Sequence, residues 1–299
     1  MKIQAKTLPK STMEMTVTIP VVDVKATYEE VLSEVVKNAE INGFRKGQAP
    51  RDLVEEKSQT SELYGDVINK LLQKFYPQAL KEQHINPISN PKVEIKGFDL
   101  NKDFEFTATI ATKPEIKIGD FRKELKKVYE EKNKTFKKEN EERLKKGEKI
   151  EIDHIHLNPN TVVDALVQVS KLEIPELLID EESDRITSRL VEQAQSVGIS
   201  LEQYLTAQGK TADQLREEHK KLAEQSLRAE FVLAQLVKEE KIEATEEDIE
   251  NTAKATGDEN IINNLKDPLQ KWYIKSVLEK NMLINKLIEE IQGEHHHDQ

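Results

Sequence analysis

The sequence predicts an α+β N-terminal domain with an antiparallel sheet, followed by an all-α region that runs to the end of the chain. Two observations carry this. Alternating apolar segments cluster at 2–20 and 92–112, with helix-patterned segments between them, and strands grouped around helices form antiparallel sheets. From Thr161 onward, apolar residues recur at three- and four-residue spacing between capping residues and glycines.

Residues 2–8 and 12–20, joined through Pro9-Lys10-Ser11, read as a hairpin. Met13, Met15, Val17 and Ile19 fall on one face of the second strand. Asp23 is the expected cap of a helix over 24–40, with Tyr28, Val31, Leu32, Val35 and Val36 inward. A short helix is expected over Arg51–Lys57. A longer one, capped by Ser61, carries the stripe Leu63, Val67, Leu71, Leu72, Phe75, Ala79 and Leu80, with Pro77 inside it expected to kink it. Lys92–Phe98 and Phe104–Thr112 read as a second hairpin. Residues 120–149 are rich in Lys and Glu with a thin apolar stripe, which predicts a long solvated helix ended by Gly147.

Beyond the break at Asn158-Pro159-Asn160, helices are expected over 161–172, 176–197, 201–208 and 211–241. Two more are expected from Thr245 to before Gly257 and from Pro268 to about Gln292. Ser200 and Thr211 are the caps, and Gly198 and Gly209 the stops. Inward faces are assigned to Ile179, Ile186, Leu190, Ala194 and Val197, then to Leu215, Leu222, Ala229, Val232, Leu233 and Leu236. In the last helix they fall to Val277, Ile284, Ile288 and Ile291. The domains expected are 1–118, a charged helical linker or arm over 119–160, and 161–299.

Between the first two helices lies Ile41-Asn42-Gly43-Phe44-Arg45-Lys46-Gly47-Gln48-Ala49-Pro50. Two glycines and a proline make it a loop. It lifts an aromatic ring and two cations off a tight turn, an arrangement suited to docking on something anionic. An ordinary solvated turn with Phe44 folded back is the plainer reading of the same residues.

Formal net charge is −11, unevenly spread. Residues 1–118 hold 17 Lys/Arg against 17 Asp/Glu, residues 119–160 hold 12 against 10, and residues 161–299 hold 16 against 29. Any contact with nucleic acid therefore falls to the N-terminal half. There is no cysteine, which excludes disulfides, thiolate zinc sites and cysteine nucleophiles. The start lacks the apolar run of a secretory signal, and no stretch approaches the ~20 apolar residues of a membrane span. A cytoplasmic protein is expected.

Gly43-Phe44-Arg45-Lys46-Gly47-x-Ala49-Pro50 resembles the ribosome-docking signature of the trigger factor family, chaperones that meet nascent chains at the ribosomal exit tunnel. Ile85-Asn86-Pro87, Phe104-Glu105-Phe106-Thr107-Ala108 and Lys113-Pro114-Glu115 follow in the family's order, and the resemblance covers residues 1–118. Ile174-Pro175-Glu176-Leu177-Leu178, Leu201-Glu202-Gln203-Tyr204-Leu205 and Gly209-Lys210-Thr211 extend it more weakly. The resemblance implies an elongated helical substrate-binding domain with protruding arms. It implies Gly43, Phe44, Arg45, Lys46, Gly47 and Pro50 as ribosome contacts, reaching an exit-tunnel protein and ribosomal RNA. It also implies nascent and unfolded polypeptides as partners, with no nucleotide, no cofactor and no membrane. Tyr204, Leu205, Phe231, Trp272 and Tyr273 are the candidate client contacts, each equally suited to packing between helices. Such an apolar surface would also favour a weak homodimer.

The chain departs from the family where a prolyl-isomerase domain of the FK506-binding type is usual. Only the charged tract sits there, without an aromatic-lined β pattern. Isomerase activity is therefore not carried over, and no enzyme is expected. An isomerase with an unfamiliar site in 120–160 is one rival reading. An off-ribosome holdase or assembly scaffold, binding folded or partly folded partners, is the other. No phosphate loop, dinucleotide fingerprint or nucleophile elbow is present. His154-x-His156 offers two imidazoles without a third ligand, and His295-His296-His297 sits in a polar tail; neither is assigned a metal.

Overall fold

A computed structural model describes residues 1–57, 60–147, 155, 157–255 and 265–293. His154, His156, His295–His297 and the side chain of Ser61 lie outside the described residues. The chain divides into two compact units, one of Met1–Pro114 with Pro175–Glu181, the other of Glu115–Ile174 with Glu182–Gln299.

The first unit is a helix layer on a four-stranded antiparallel sheet of order β1-β2-β4-β3. The strands are β1 (Lys2–Leu8), β2 (Thr12–Ile19), β3 (Lys92–Ile95) and β4 (Phe104–Ala111). Both expected hairpins form. The two centre strands, far apart in sequence, join them: Met15 pairs with Ala108, Val17 with Phe106 and Ile19 with Phe104. Successive side chains alternate faces, so this register puts all six on one buried face. On the opposite face Thr16 and Thr107 are hydrogen-bonded at 3.2 Å.

Over the buried face lie α1 (Val21–Asn38) and α3 (Thr60–Glu82), with α2 (Arg51–Lys57) beside α1. Val24, Val31 and Leu32 of α1 meet Leu63, Val67, Leu71, Phe75 and Ala79 of α3 in the core. The helix α3 continues through Pro77. Asp23 is not the cap of α1 but lies in its first turn. The carboxylate of Asp103, just before β4, accepts from Val21 N at 2.9 Å and lets the helix start earlier. A capping partner that distant leaves no local trace.

The second unit contains α4 (Phe121–Lys145), α5 (Pro159–Gln168), α7 (Leu201–Gln208), α8 (Ala212–Glu239), α9 (Glu246–Ala255) and α10 (Pro268–Gln292). It also holds most of α6 (Glu176–Ser196). Capping boxes at Ser200/Gln203 and Thr211/Gln214 open α7 and α8, and Asp267 caps α10. The helix expected over 161–172 begins earlier, capped by Asn158, and stops at Gln168. Ser170–Lys171 (β6) then pairs with Lys117–Ile118 (β5), a two-residue ladder too short to pattern.

Three positions assigned inward, Val197, Leu222 and Val277, are exposed. In α8 the inward places go to Leu215, His219 and Ala223, and in α10 to Leu283, Ile284 and Leu287. His219 Nδ1 lies 2.7 Å from Thr187 Oγ1, which satisfies a polar ring on a helix face that hydropathy alone assigns elsewhere.

The charged tract is a helix, but it is not simply solvated. Leu125 and Asn140 of α4 are buried, and the helix packs on α5 and α10. Its inward face carries Asn133 and Asn140 among the apolar residues, which thinned the pattern in sequence. Arg122 anchors this packing, with ion pairs to Glu240 at 2.9 Å and Glu290 at 3.0 Å; Lys286 reaches Glu240 at 2.9 Å. Lys286, then Arg122, hold the Glu240 carboxyl below the usual range, against the opposing effect of burial.

A depressed carboxylate stabilises the fold above its unfolded pKa and loses that contribution as pH falls through the folded one. Glu240→Gln is therefore expected to cost about 1–2 kcal/mol at neutral pH. The gap should close in acid, below the ordinary glutamate range. Urea unfolding of both proteins across that pH range checks it.

Candidate functional site

The loop between α1 and α2 is two turns in tandem. Phe44 N donates to Ile41 O at 3.0 Å, and Gln48 N donates to Arg45 O at 2.9 Å. The third residue of each turn is a glycine with positive φ, Gly43 at 92° and Gly47 at 73°. The second residues, Asn42 and Lys46, do not share the positive φ, so both turns are type II, which calls for glycine at that place. The four-residue spacing of the glycines thus encodes two successive reversals.

The loop's base is fixed at both ends. Gly47 N donates to Ala39 O at 3.1 Å, tying the second turn to the end of α1. A Cβ on Gly47 would lie 2.7 Å from the backbone oxygen of Lys37, so only glycine lets the chains approach this closely. Ala49 is buried, and Pro50 O accepts from Leu53 N and Val54 N at the start of α2. Arg51 pairs with Glu29 at 2.5 Å, and the Tyr28 hydroxyl donates to Glu55, so α2 is strapped to α1. Burial first, and Glu55 second, push the Tyr28 phenol well above its ordinary range and keep it a donor.

On this base Gly43, Phe44, Arg45 and Lys46 are all exposed. Phe44 retains 44% of its surface, high for a phenylalanine with a core nearby. Lys46 pairs with Glu40 at 3.3 Å, in a pair exposed on both sides. Arg45 has no ion pair among the described residues. Gly47 is half-buried and Pro50 exposed. The six predicted residues therefore lie in one loop, where a ring, a guanidinium and an ammonium are exposed at consecutive positions.

In the second unit, Trp272 and Tyr273 are 67% and 61% exposed. Leu269 and Val277, which sequence reasoning did not select, are exposed beside them on the first half of α10. Leu269, Tyr273 and Val277 follow one another at four-residue spacing, so they share a face. From sequence alone Val277 is assigned inward and Tyr273 to the client contacts, which leaves the three unjoined. Tyr204, Leu205 and Phe231 are half-buried, lying on α7 and α8 rather than on this face. Among the described residues no group of His, Asp and Glu is arranged to hold a metal, and no helix is long and apolar enough to cross a membrane.

Comparison with known proteins agrees with this layout. The family described as "Bacterial trigger factor protein (TF)" matches residues 1–146, and "Bacterial trigger factor protein (TF) C-terminus" matches residues 125–289. Trigger factor of Staphylococcus epidermidis strain RP62A is 37% identical over 108 residues, 36% of this chain and 25% of that protein. Trigger factor of Staphylococcus aureus strain JH9 is likewise 37% identical over 108 residues, with the same coverage. The match thus spans a quarter of the length of these relatives. A solved chain titled "Promiscuous Substrate Recognition in Folding and Assembly Activities of the Trigger Factor Chaperone" aligns with a TM-score of 0.63 at 14% identity. That alignment covers 97% of this chain and 100% of that one, and it speaks for the fold. With its N-terminal sheet domain and its helical region both matched, the chain belongs to the bacterial trigger factor family.

Proposed function

We propose that the chain is a nucleotide-independent chaperone of the cytoplasm. It docks at the ribosomal exit tunnel through the loop 41–50 and shields nascent or unfolded segments on the helical unit. The observation that carries this is the joint exposure of Phe44, Arg45 and Lys46 on a backbone held by two type II turns. An aromatic ring fills an apolar pocket, while the two cations pair with phosphates or carboxylates. Such charge-assisted contacts are strong but weaken with salt. Micromolar affinity, about 8 kcal/mol, is sufficient for a factor that cycles on and off. The exposed face of α10 supplies apolar contacts that require no common client sequence.

No catalytic step is part of this reading. The two family matches overlap across residues 125–146, so the charged tract continues from one matched region into the other. We read it as the linker that stands where an isomerase domain is usual. An off-ribosome holdase would use the same face of α10 and leave the loop idle. Co-sedimentation with ribosomes, beside suppression of aggregation of an unfolded client without nucleotide, separates the two. The proposed function requires both activities; loss of co-sedimentation alone would favour the holdase.

A further inference from the structure

Between the end of α8 and the first half of α10 lies a cavity of about 450 Å³. Val237, Ile242 and Trp272 are among its apolar lining residues. Lys238, Lys241, Lys275 and Lys280 line it as well, against two carboxylates, Glu243 and Glu279. Lys275 faces Glu279 at 3.6 Å, whereas Lys238 and Lys241 have no ion pair among the described residues. The lining thus carries a surplus of positive charge, unexpected where residues 161–299 hold 16 Lys/Arg against 29 Asp/Glu.

A lysine near a helix C-terminus is favoured by the helix dipole, and this accounts for Lys238 alone. It does not account for Lys241. That residue ends α8 in the left-handed region at φ 51°, where Ile242 N donates back to Val237 O at 3.0 Å. Glycine is the inexpensive residue at such a helix end, and a side chain there is strained. The strained position places a second lysine three residues after the first, in a lining that also holds an exposed indole.

Resting on the chaperone reading above, we propose that this cavity binds an apolar side chain of an unfolded segment whose neighbours are Asp or Glu. Val237, Ile242 and Trp272 take the apolar group, and Lys238 and Lys241 pair with the flanking carboxylates. The acidic surroundings repel such a segment elsewhere on the unit, so this site would confer a local preference opposite in sign to the overall charge.

Trp272 is the one tryptophan in the chain, so its emission reports this cavity directly. Two short peptides with the same Leu-Phe-Leu centre, one flanked by Asp and Glu and one by Lys and Arg, are titrated into the full chain. The acidic peptide is expected to shift the emission to the blue and to bind about five- to tenfold more tightly, since exposed pairs contribute a few tenths to 1 kcal/mol each. The preference should fade with salt. Lys238→Glu with Lys241→Glu should reverse it, with ribosome co-sedimentation unchanged. Equal binding of both peptides, preference for the basic one, no response, or a preference untouched by the double variant each overturns the proposal. The comparison of peptides on the unaltered chain holds even if the double variant fails to fold. A chain that suppresses aggregation but shows no acidic preference loses only this inference. One that shows the preference but suppresses no aggregation loses the chaperone reading instead.

Discussion

Replacing Phe44, Arg45 and Lys46 together by alanine is expected to lower ribosome affinity at least about 100-fold, equivalent to roughly 2.7 kcal/mol. The side chains are exposed in the free chain, so each has contacts to gain on docking. Burying the remaining surface of Phe44 contributes on the order of 1 kcal/mol. Hydrogen bonds to charged groups contribute about 1.5–3 kcal/mol each when made well. Releasing Lys46 from Glu40 costs little, because an exposed pair contributes about 0–1 kcal/mol. None of the three belongs to the core of the first unit, so thermal unfolding should hardly change. Aggregation suppression, which the proposal places in the other unit, should persist. A variant that co-sediments normally would remove the docking assignment.

Gly47→Ala is expected to be the most damaging single substitution in the loop, for a different reason. Its φ of 73° already strains any side chain, at about 1–2 kcal/mol. The added Cβ also meets the backbone oxygen of Lys37 at 2.7 Å, which cannot swing away as a side-chain tip would. The second turn must open, with loss of the bond from Gly47 N to Ala39 O. The expected cost is about 2 kcal/mol or more in stability of the unit, with a roughly tenfold loss of ribosome affinity through misplaced cations. Gly43→Ala provides the comparison. Gly43 has a similar φ of 92° but open space around it, so only the conformational cost of about 1 kcal/mol applies. Equal effects of the two substitutions would mean that the close approach at Gly47 does not hold the loop.

These residues also show how far the sequence could be read. The loop was legible because glycine and proline act on their own backbone, so their positions alone mark a loop. That it consists of two type II turns required the hydrogen bonds. Both hairpins were legible from alternation. The pairing of β2 with β4, which sets the sheet order, joins segments some ninety residues apart and has no local signal. The start of α1 was misplaced because Asp103 replaces the local cap. The packing of α4 was hidden because buried Asn140 and half-buried Arg122 read as solvent-facing positions. On α10 the error ran the other way: Val277 looked like core, yet it continues an exposed apolar face. A periodic stripe states that a face exists, not what covers it. The cavity beside Trp272 was beyond sequence reading for the same reason, since its lining joins residues from the end of α8 to residues of α10.

The most direct measurement is site-specific photo-crosslinking of ribosome-bound chain, with the reactive group placed at position 44 and, as a control, at position 22. Val22 is more exposed than Phe44 and lies in the same unit, but outside the loop. Crosslinks to ribosomal protein or RNA from position 44, with few from position 22, are the predicted result. Equal yields from both positions, or none from position 44 while the chain remains bound, would contradict docking through the loop.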